Sequence, residues 1–175
     1  MAVSRDATKT MIGIREATDA DLPFIVEIVN LAIVSLPYVW SDTPTTLDVR
    51  TRWLAEHRET GHPVFVAVDA DGSVVGWSSL TKFRPRDGYR YSAEVSVYVH
   101  PRAQRRGVAL RLVRAVESAA VARGLHALIA VIDAEHSASV GLFERFGYVE
   151  RGRLPEAGWK FGEWRDEVFL VKLLA

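Results

Sequence analysis

The sequence predicts a mixed α+β fold, in which a mostly antiparallel sheet with one parallel strand pair carries helices on both faces. Three observations predict it. The β-rich segments 64–68 and 73–81 flank Asp69, Ala70, Asp71 and Gly72, a turn signal typical of an antiparallel hairpin. The alternating segment 93–99 is followed by a helical repeat and by the apolar run 125–132, which is the order of a parallel β-α-β unit. Two further strands are predicted after it, so antiparallel pairing returns at the C-terminal end.

The remaining elements follow from periodicity and from start and stop signals. Thr18 is a candidate cap for a helix that ends near Val34, and a second helix covers 46–60 before Gly61. A short helix is predicted over 137–146, where Gly147 stops it. The predicted strands outside the hairpin and the β-α-β unit are 12–16, 148–153 and 163–173, with 154–162 as a connection. Residues 12–175 are predicted to form a single domain, and residues 1–11 an N-terminal tail.

Composition excludes several classes of protein. Lys plus Arg and Asp plus Glu both number 22 in the 175 residues, and this balance argues against broad affinity for nucleic acid or membranes. The chain has no cysteine, which excludes disulfides, thiolate metal sites and an acyl-cysteine enzyme. The five histidines lack metal-ligand spacing, so no metal is expected. No apolar run approaches the roughly 18 residues of a membrane span, and we expect a cytoplasmic protein.

The turn between the central strand and the following helix is a candidate anion site. Val95, Val97 and Val99 alternate with polar neighbours, and Pro101 ends the strand. The next helix therefore begins close to Arg105, Arg106 and Gly107. A helix N-terminus exposes unpaired N–H groups with a partial positive charge, and glycine allows close approach of a ligand. These residues favour binding of a pyrophosphate, although a basic helix start on a solvated surface would have the same composition.

This segment resembles the acetyl-CoA signature of the GNAT N-acyltransferase superfamily. Gln104, Arg105, Arg106, Gly107, Val108 and Ala109 match its pattern of Gln or Arg, two variable residues, Gly, any residue, then Gly or Ala. The chain is more closely similar to one branch, the phosphinothricin and methionine sulfone or sulfoximine acetyltransferases, over nearly all of residues 12–174. The segments that carry this resemblance are Asn30; Phe83 to Arg86 with Tyr89 and Arg90; Glu94 to Pro101; and Gly158 to Asp166.

The resemblance implies an N-acetyltransferase that uses acetyl-CoA as co-substrate. It implies a cofactor site made of Val97, Tyr98, Val99, Gln104, Arg105, Arg106, Gly107, Val108, Ala109, Leu110 and His136. In many members an asparagine contacts the pantetheine arm where this chain has His136, so His136 is either a cofactor contact or part of a helix-capping region. Branch members usually form homodimers, and the same is expected here.

Attack of an amine on a thioester requires a base, and Glu94 is the best candidate. It heads the central strand just before the expected thioester position, where it could take the proton directly or through a water. On sequence alone, a solvent-facing carboxylate on the polar side of a strand is the commoner fate of a glutamate, and the resemblance favours the catalytic interpretation. A backbone N–H of the strand would stabilise the developing oxyanion. Family members often protonate the leaving thiolate with a tyrosine, but Phe143 stands at that position, so either water or no acid at all is expected to serve.

The branch acetylates the α-amino group of amino acids with a compact polar head, and this suggests the acceptor site. The guanidinium forks of Arg84 and Arg86 could bind a carboxylate or phosphinate. Tyr89 could hydrogen-bond the same head, and Trp40 and Trp164 could line the methylene stem. The alternatives are two solvated loop arginines and a loop pinned by buried aromatic side chains.

Two other functions stay open at this point. The chemistry could serve another small amine or a protein N-terminus, although paired arginines fit a free amino acid better. The fold could also serve a non-catalytic acyl-CoA sensor.

Overall fold

The computed structural model describes residues 12–174. The strands are β1 (Gly13–Glu16), β2 (Val64–Val68), β3 (Val74–Lys82), β4 (Ser92–Val99), β5 (Ala127–Asp133), β6 (Val149–Lys160) and β7 (Glu163–Leu173). The helices are α1 (Leu22–Ser35), α2 (Leu47–Thr60), α3 (Val108–Ala122) and α4 (Ser137–Arg145). The predicted tail, residues 1–11, lies outside the described residues.

The seven strands form one sheet in the order β1-β2-β3-β4-β5-β7-β6. Neighbouring strands are antiparallel except β4 and β5, which are parallel and joined through α3. The predicted fold class, with one parallel strand pair in a mostly antiparallel sheet, is confirmed. The predicted hairpin is β2 and β3, and the predicted β-α-β unit is β4, α3 and β5.

Side chains that alternate along the strands build a core on each face of the sheet. On one face Ile25, Val29 and Ile33 of α1 pack with Val66 and Trp77. On the opposite face the apolar stripe of α3 packs with β4, β5 and β7, and α4 adds Phe143; the stripe consists of Val113, Val116 and Ala120. Helices therefore cover both faces, as the sequence predicts. None of the helices in residues 12–174 is long and apolar enough to cross a membrane.

The prediction for the C-terminal strands is wrong in one respect. Residues 154–162 were expected to form a connection, but β6 continues through Lys160, and only Phe161 and Gly162 separate it from β7. The register of β6 against β7 shifts between Glu150 and Gly152 and again between Leu154 and Gly158. These irregularities interrupt the two-residue alternation, and Pro155 within the strand is itself a signal against one.

Candidate active site

The parallel strands β4 and β5 separate part-way along the sheet. Their pairing covers only Ser92 to Glu94 of β4, and Glu94 opposite Ile129 is its last position. Beyond that point β4 stays paired with β3 as far as Val99, and β5 stays paired with β7 as far as Asp133. The facing edges of β4 and β5 therefore have backbone groups that the sheet does not use, and these groups are available to a ligand.

A cavity of about 750 Å³ runs through this opening. It is lined by β4 from Val95 to Val99 and by the last three residues of β5. On one side of the sheet α1 contributes Ile28, Leu31 and Ala32, and on the other side the cavity is bounded by the starts of α3 and α4. The cavity thus connects the two faces of the sheet at the position where its hydrogen bonding is interrupted.

The N-terminus of α3 closes one end of this cavity and is built to receive an anion. Gly107 caps the helix with a φ of 77° and no side-chain hydrogen bond, and Arg105 also has a positive φ of 58°. The first N–H groups of α3 are therefore not capped by a side chain. A Cβ added at Gly107 would meet no protein atom within 4 Å, so space exists over this turn. An uncapped helix N-terminus with glycine and arginine fits a pyrophosphate.

The structure brings the residues predicted for the cofactor site around this one cavity, with one exception. Val97, Tyr98, Val99, Gln104, Arg105, Gly107, Val108, Ala109, Leu110 and His136 all line it. Arg106 does not line it, and its side chain is exposed.

The α1–α2 loop supplies Tyr38, which was not among the predicted site residues. The Tyr38 ring lies parallel to the His136 ring with centroids 4.4 Å apart, and both line the cavity. Burial lowers the pKa of His136, so the imidazole is held neutral. Pro37 and Pro44 mark this segment as a loop that carries two aromatic residues, but they did not distinguish Tyr38 from Trp40.

Glu94 lies beside the cavity rather than in its lining. Alternation along β4 places its side chain on the face of Ser96 and Tyr98, opposite the face of Ala93 and Val95 that packs on α3. Burial raises the pKa of Glu94, the charge of Glu167 raises it further, and Arg84 opposes them. Glu167 on β7, which the sequence analysis missed, is likewise raised in pKa by burial and influenced by Arg84. Two carboxylates and one guanidinium therefore share this face.

The other residues predicted for the acceptor are dispersed. Arg84, Arg86 and Tyr89 are exposed in the β3–β4 connection. Of these three, only Arg84 influences the pKa of Glu94, which its positive charge lowers. Trp164 is 60% exposed beside Trp159 near the end of the β6–β7 hairpin. None of the predicted acceptor residues lines the 750 Å³ cavity.

Trp40 is held by residues at the carboxyl end of β5. Its indole N–H donates to Asp133 Oδ2 over 3.3 Å. Arg165 donates to both carboxylate oxygens of Asp133, from Nε over 2.8 Å and from Nη2 over 3.1 Å. Asp133 lines the cavity, so this buried pair joins the α1–α2 loop, β5 and β7 beside the cavity.

Phe143 of α4 lines the cavity and is 3% exposed. Its ring meets the ring of Tyr148 edge-on, with centroids 5.0 Å apart. Phenylalanine has no proton to give, so α4 supplies no acid from this position. Among residues 12–174, His, Asp and Glu do not gather into a group of three or more that could hold a metal ion.

Comparison with known proteins identifies the family. The model of the acetyltransferase (GNAT) family matches residues 25–148. This chain belongs to the GNAT family. The predicted membership is confirmed, and with it the class of enzyme, an N-acetyltransferase.

Three GNAT relatives represent the likeness. The L-methionine sulfoximine/L-methionine sulfone acetyltransferase of Pseudomonas aeruginosa is 39% identical over 90% of this chain and 92% of its own length. The structure of a ribosomal-protein-alanine N-acetyltransferase from Brucella melitensis is 40% identical, with a TM-score of 0.89 over 93% of this chain and 99% of that one. A phosphinothricin acetyltransferase from Sinorhizobium meliloti, solved with acetyl-CoA, is 29% identical, with a TM-score of 0.91 over 94% of this chain and 89% of that one. The predicted branch and the predicted co-substrate, acetyl-CoA, are confirmed.

Proposed function

We propose that this GNAT enzyme transfers the acetyl group of acetyl-CoA directly to the α-amino group of a small amino acid with a compact polar head. Methionine sulfone, methionine sulfoximine and phosphinothricin are the acceptors of this type. The observation that carries the proposal is the position of Glu94, at the last paired residue of β4 where the sheet opens. There a proton acceptor stands next to the strand edge that a thioester would use.

The opening supports the cofactor part of the proposal. Acetyl-CoA supplies an electrophilic thioester carbonyl and a thiolate that can leave. The unpaired edge of β4 between Val95 and Val99 provides N–H donors for the developing oxyanion. The uncapped start of α3 provides N–H groups and positive charge for the pyrophosphate. Val97 and Val99, which line the cavity, would contact the pantetheine arm through their backbone groups.

Glu94 supports the chemical step. An acceptor amine arrives largely as ammonium, and its proton must leave before nitrogen attacks. The raised pKa of Glu94 makes it a stronger base than an ordinary carboxylate, and the neighbouring Glu167 adds negative charge that favours the ammonium. Phe143 cannot protonate the thiolate, whose ordinary pKa of about 8.5 lets it depart without a strong acid.

Arg84 supports the acceptor class. Its charge lowers the pKa of both Glu94 and Glu167, so it is near enough to this pair to be proposed as the partner of the polar head of an amino acid bound beside Glu94. Arg86, Tyr89, Trp40 and Trp164 remain proposals for the rim of that site. We also propose a homodimer, since the β6–β7 hairpin exposes Trp159, Phe161 and Trp164 together.

The proposal is tested by release of free thiol from acetyl-CoA. The panel holds methionine sulfone, methionine sulfoximine, phosphinothricin, ordinary amino acids, spermidine and a short peptide that begins with alanine. We expect turnover with the first three acceptors and its loss in Glu94→Gln. Turnover with the peptide alone would favour a protein N-terminus as the acceptor; the name of the Brucella relative states N-acetylation of a ribosomal-protein alanine. Binding of acetyl-CoA without turnover on any acceptor would favour a sensor.

A further inference from the structure

Arg50 is a half-buried cation that the mechanism above does not use. It lies in the first turn of α2, and its Nε is buried without a hydrogen-bond partner. None of the ion pairs between residues 12 and 174 includes it. The guanidinium lies over Trp53 and Trp77, with Cζ at 5.0 Å and 5.7 Å from the ring centroids. Burial lowers the pKa of Arg50, and within residues 12–174 no carboxylate pairs with it to offset that cost.

Arg50 lines a second cavity of about 480 Å³ between α1, the α1–α2 loop and α2. Tyr98 and Val39 line both this cavity and the 750 Å³ cavity, so the two adjoin. Arg50 is the one charged residue in the lining of the second cavity. The other lining residues are apolar or carry a hydroxyl group, among them Val29, Ile33, Thr45 and Tyr98. It therefore has the charge of an anion site.

Hydroxyl groups accompany the guanidinium. Thr45 Oγ1 is buried and has no hydrogen-bond partner. The backbone of Thr45 is fixed by the Asn30 side chain, which accepts from its N–H over 2.8 Å and donates to its carbonyl over 3.0 Å. Tyr98 adds a phenolic O–H, which is a donor. A guanidinium and fixed hydroxyls are the groups that bind a carboxylate.

Tyr98 also relates this cavity to the catalytic base. Burial raises the pKa of its hydroxyl, the charge of Arg50 opposes that change and the charge of Glu94 adds to it. A cation and an anion therefore both act on Tyr98. A free amino acid carries its α-carboxylate and its α-ammonium group on the same carbon, so a nearby cation and a nearby carboxylate complement its two charges.

We propose that Arg50 binds the α-carboxylate of the acceptor amino acid, in the cavity that adjoins the thioester site. This inference rests on the proposed function and assigns the ends of the acceptor to different arginines. Arg50 holds the carboxylate on one side of the attacking nitrogen, and Arg84 meets the polar head on the other. A peptide N-terminus has an amide in place of the carboxylate and gains nothing from Arg50, so the residue selects free amino acids.

The test compares Arg50→Met with Arg52→Met, which removes an exposed arginine from the same helix. The two acceptors are methionine sulfone and its carboxamide, which keeps the shape but loses the charge. In Arg50→Met we expect KM for methionine sulfone to rise about 10- to 100-fold, as for a lost charged hydrogen bond. KM for the carboxamide and for acetyl-CoA should change less than about twofold, and Arg52→Met should resemble the wild type. Equal changes for both acceptors, or no change, would overturn the proposal.

Arg50→Lys keeps the positive charge over the tryptophan rings but loses the paired N–H donors of the guanidinium. It therefore tests the proposal even if Arg50→Met does not fold. It should raise KM for methionine sulfone and leave that for the carboxamide unchanged, whereas a purely structural role would move neither constant. Calorimetric titration of the CoA-bound protein with methionine sulfone separates this proposal from the proposed function. Binding that Arg50→Met abolishes would support the carboxylate site even if the wild type turns over no amino acid. Turnover of amines that lack a carboxylate, with no binding of methionine sulfone, would refute the carboxylate site.

Discussion

The indole N–H of Trp40 donates to Asp133 Oδ2, and this contact fastens the α1–α2 loop to the carboxyl end of β5. A second tie comes from Lys160, which is 2% exposed and donates to the Ser41 carbonyl and, over 3.2 Å, to Asp42. The loop that carries Tyr38 over the main cavity is therefore held by the β6–β7 hairpin. Changes in that hairpin should reach the active site through the loop.

Gly158→Ala should displace Trp40. A Cβ at Gly158 would lie 2.6 Å from the Trp40 ring, so the ring or β6 must move. We expect a loss of about 1–3 kcal/mol in the free energy of unfolding and a higher KM for the acceptor. Gly152→Ala on the same strand is the control, because its Cβ would meet Phe169 at an ordinary 3.9 Å. Denaturant unfolding measures the stability of both variants, and equal stabilities would contradict the predicted clash with Trp40.

Arg165→Met should be strongly destabilising because it leaves a buried carboxylate without its cation. Asp133 is 3% exposed, and removing one partner of such a pair costs about 3–5 kcal/mol. The double variant Arg165→Met, Asp133→Asn should recover part of that loss, since no charge remains buried. A double variant no more stable than Arg165→Met alone would show that Arg165 stabilises the fold through the packing of its side chain and not by neutralising the Asp133 carboxylate.

The same pair predicts opposite dependences of stability on pH. Burial acts to raise the pKa of Asp133, but hydrogen bonds from Arg165 and from the Glu135 N–H hold it below its ordinary value. In the wild type this contribution is present above the unfolded pKa of about 3.9 and is lost as pH falls through the lower folded pKa. In Arg165→Met only burial and the weaker hydrogen bonds remain, so the deficit in unfolding free energy should shrink as the medium is acidified. Urea unfolding at neutral and mildly acidic pH measures this.

Gly107→Val should raise KM for acetyl-CoA. The residue has a φ of 77° and lines the cavity at the uncapped start of α3. A β-branched side chain would strain the backbone and fill the space above the first N–H groups. Gly124→Val carries the same backbone strain at a φ of 67° and does not line the cavity. Both variants should lose stability, but only Gly107→Val should lose affinity for acetyl-CoA, which calorimetry can measure.

The sequence predicted the parts of the site that depend on local pattern. The alternation of Val95, Val97 and Val99 and the basic start of α3 are visible within a few residues, and both elements form where predicted. The opening of the sheet was not visible, because it depends on where β5 stops pairing with β4, some 35 residues along the chain. Glu167 was missed for the same reason, since only the packing of β7 beside β5 brings its charge to Glu94.

Trp40 shows a different limit. The resemblance predicts that it lines the acceptor site, and this stays a prediction. The sequence did not show that its N–H donates to Asp133 or that its ring lies against Gly158. Composition indicates that such a residue is buried and does not identify the partner, which is set by tertiary packing. Arg50 reads from sequence as an ordinary helix-surface charge. The proposal for Arg50 depends on the absence of an ion-pair partner among residues 12–174 and on its unpaired Nε, and both are visible only in the folded chain.

The pH dependence of kcat/KM tests Glu94 together with its two charged neighbours. With Glu94 as the proposed proton acceptor, activity should fall as the medium is acidified through its raised pKa. Glu94→Gln should lack this acidic limb and lose about 10²- to 10⁴-fold in turnover, with affinity for acetyl-CoA retained. Glu167→Gln removes a negative charge that raises the pKa of Glu94, so the limb should move to lower pH. Arg84→Met removes the opposing positive charge and should move it to higher pH. The two substitutions remove charges of opposite sign, so they should shift the acidic limb in opposite directions. Shifts in the same direction would assign the proton acceptor to another group.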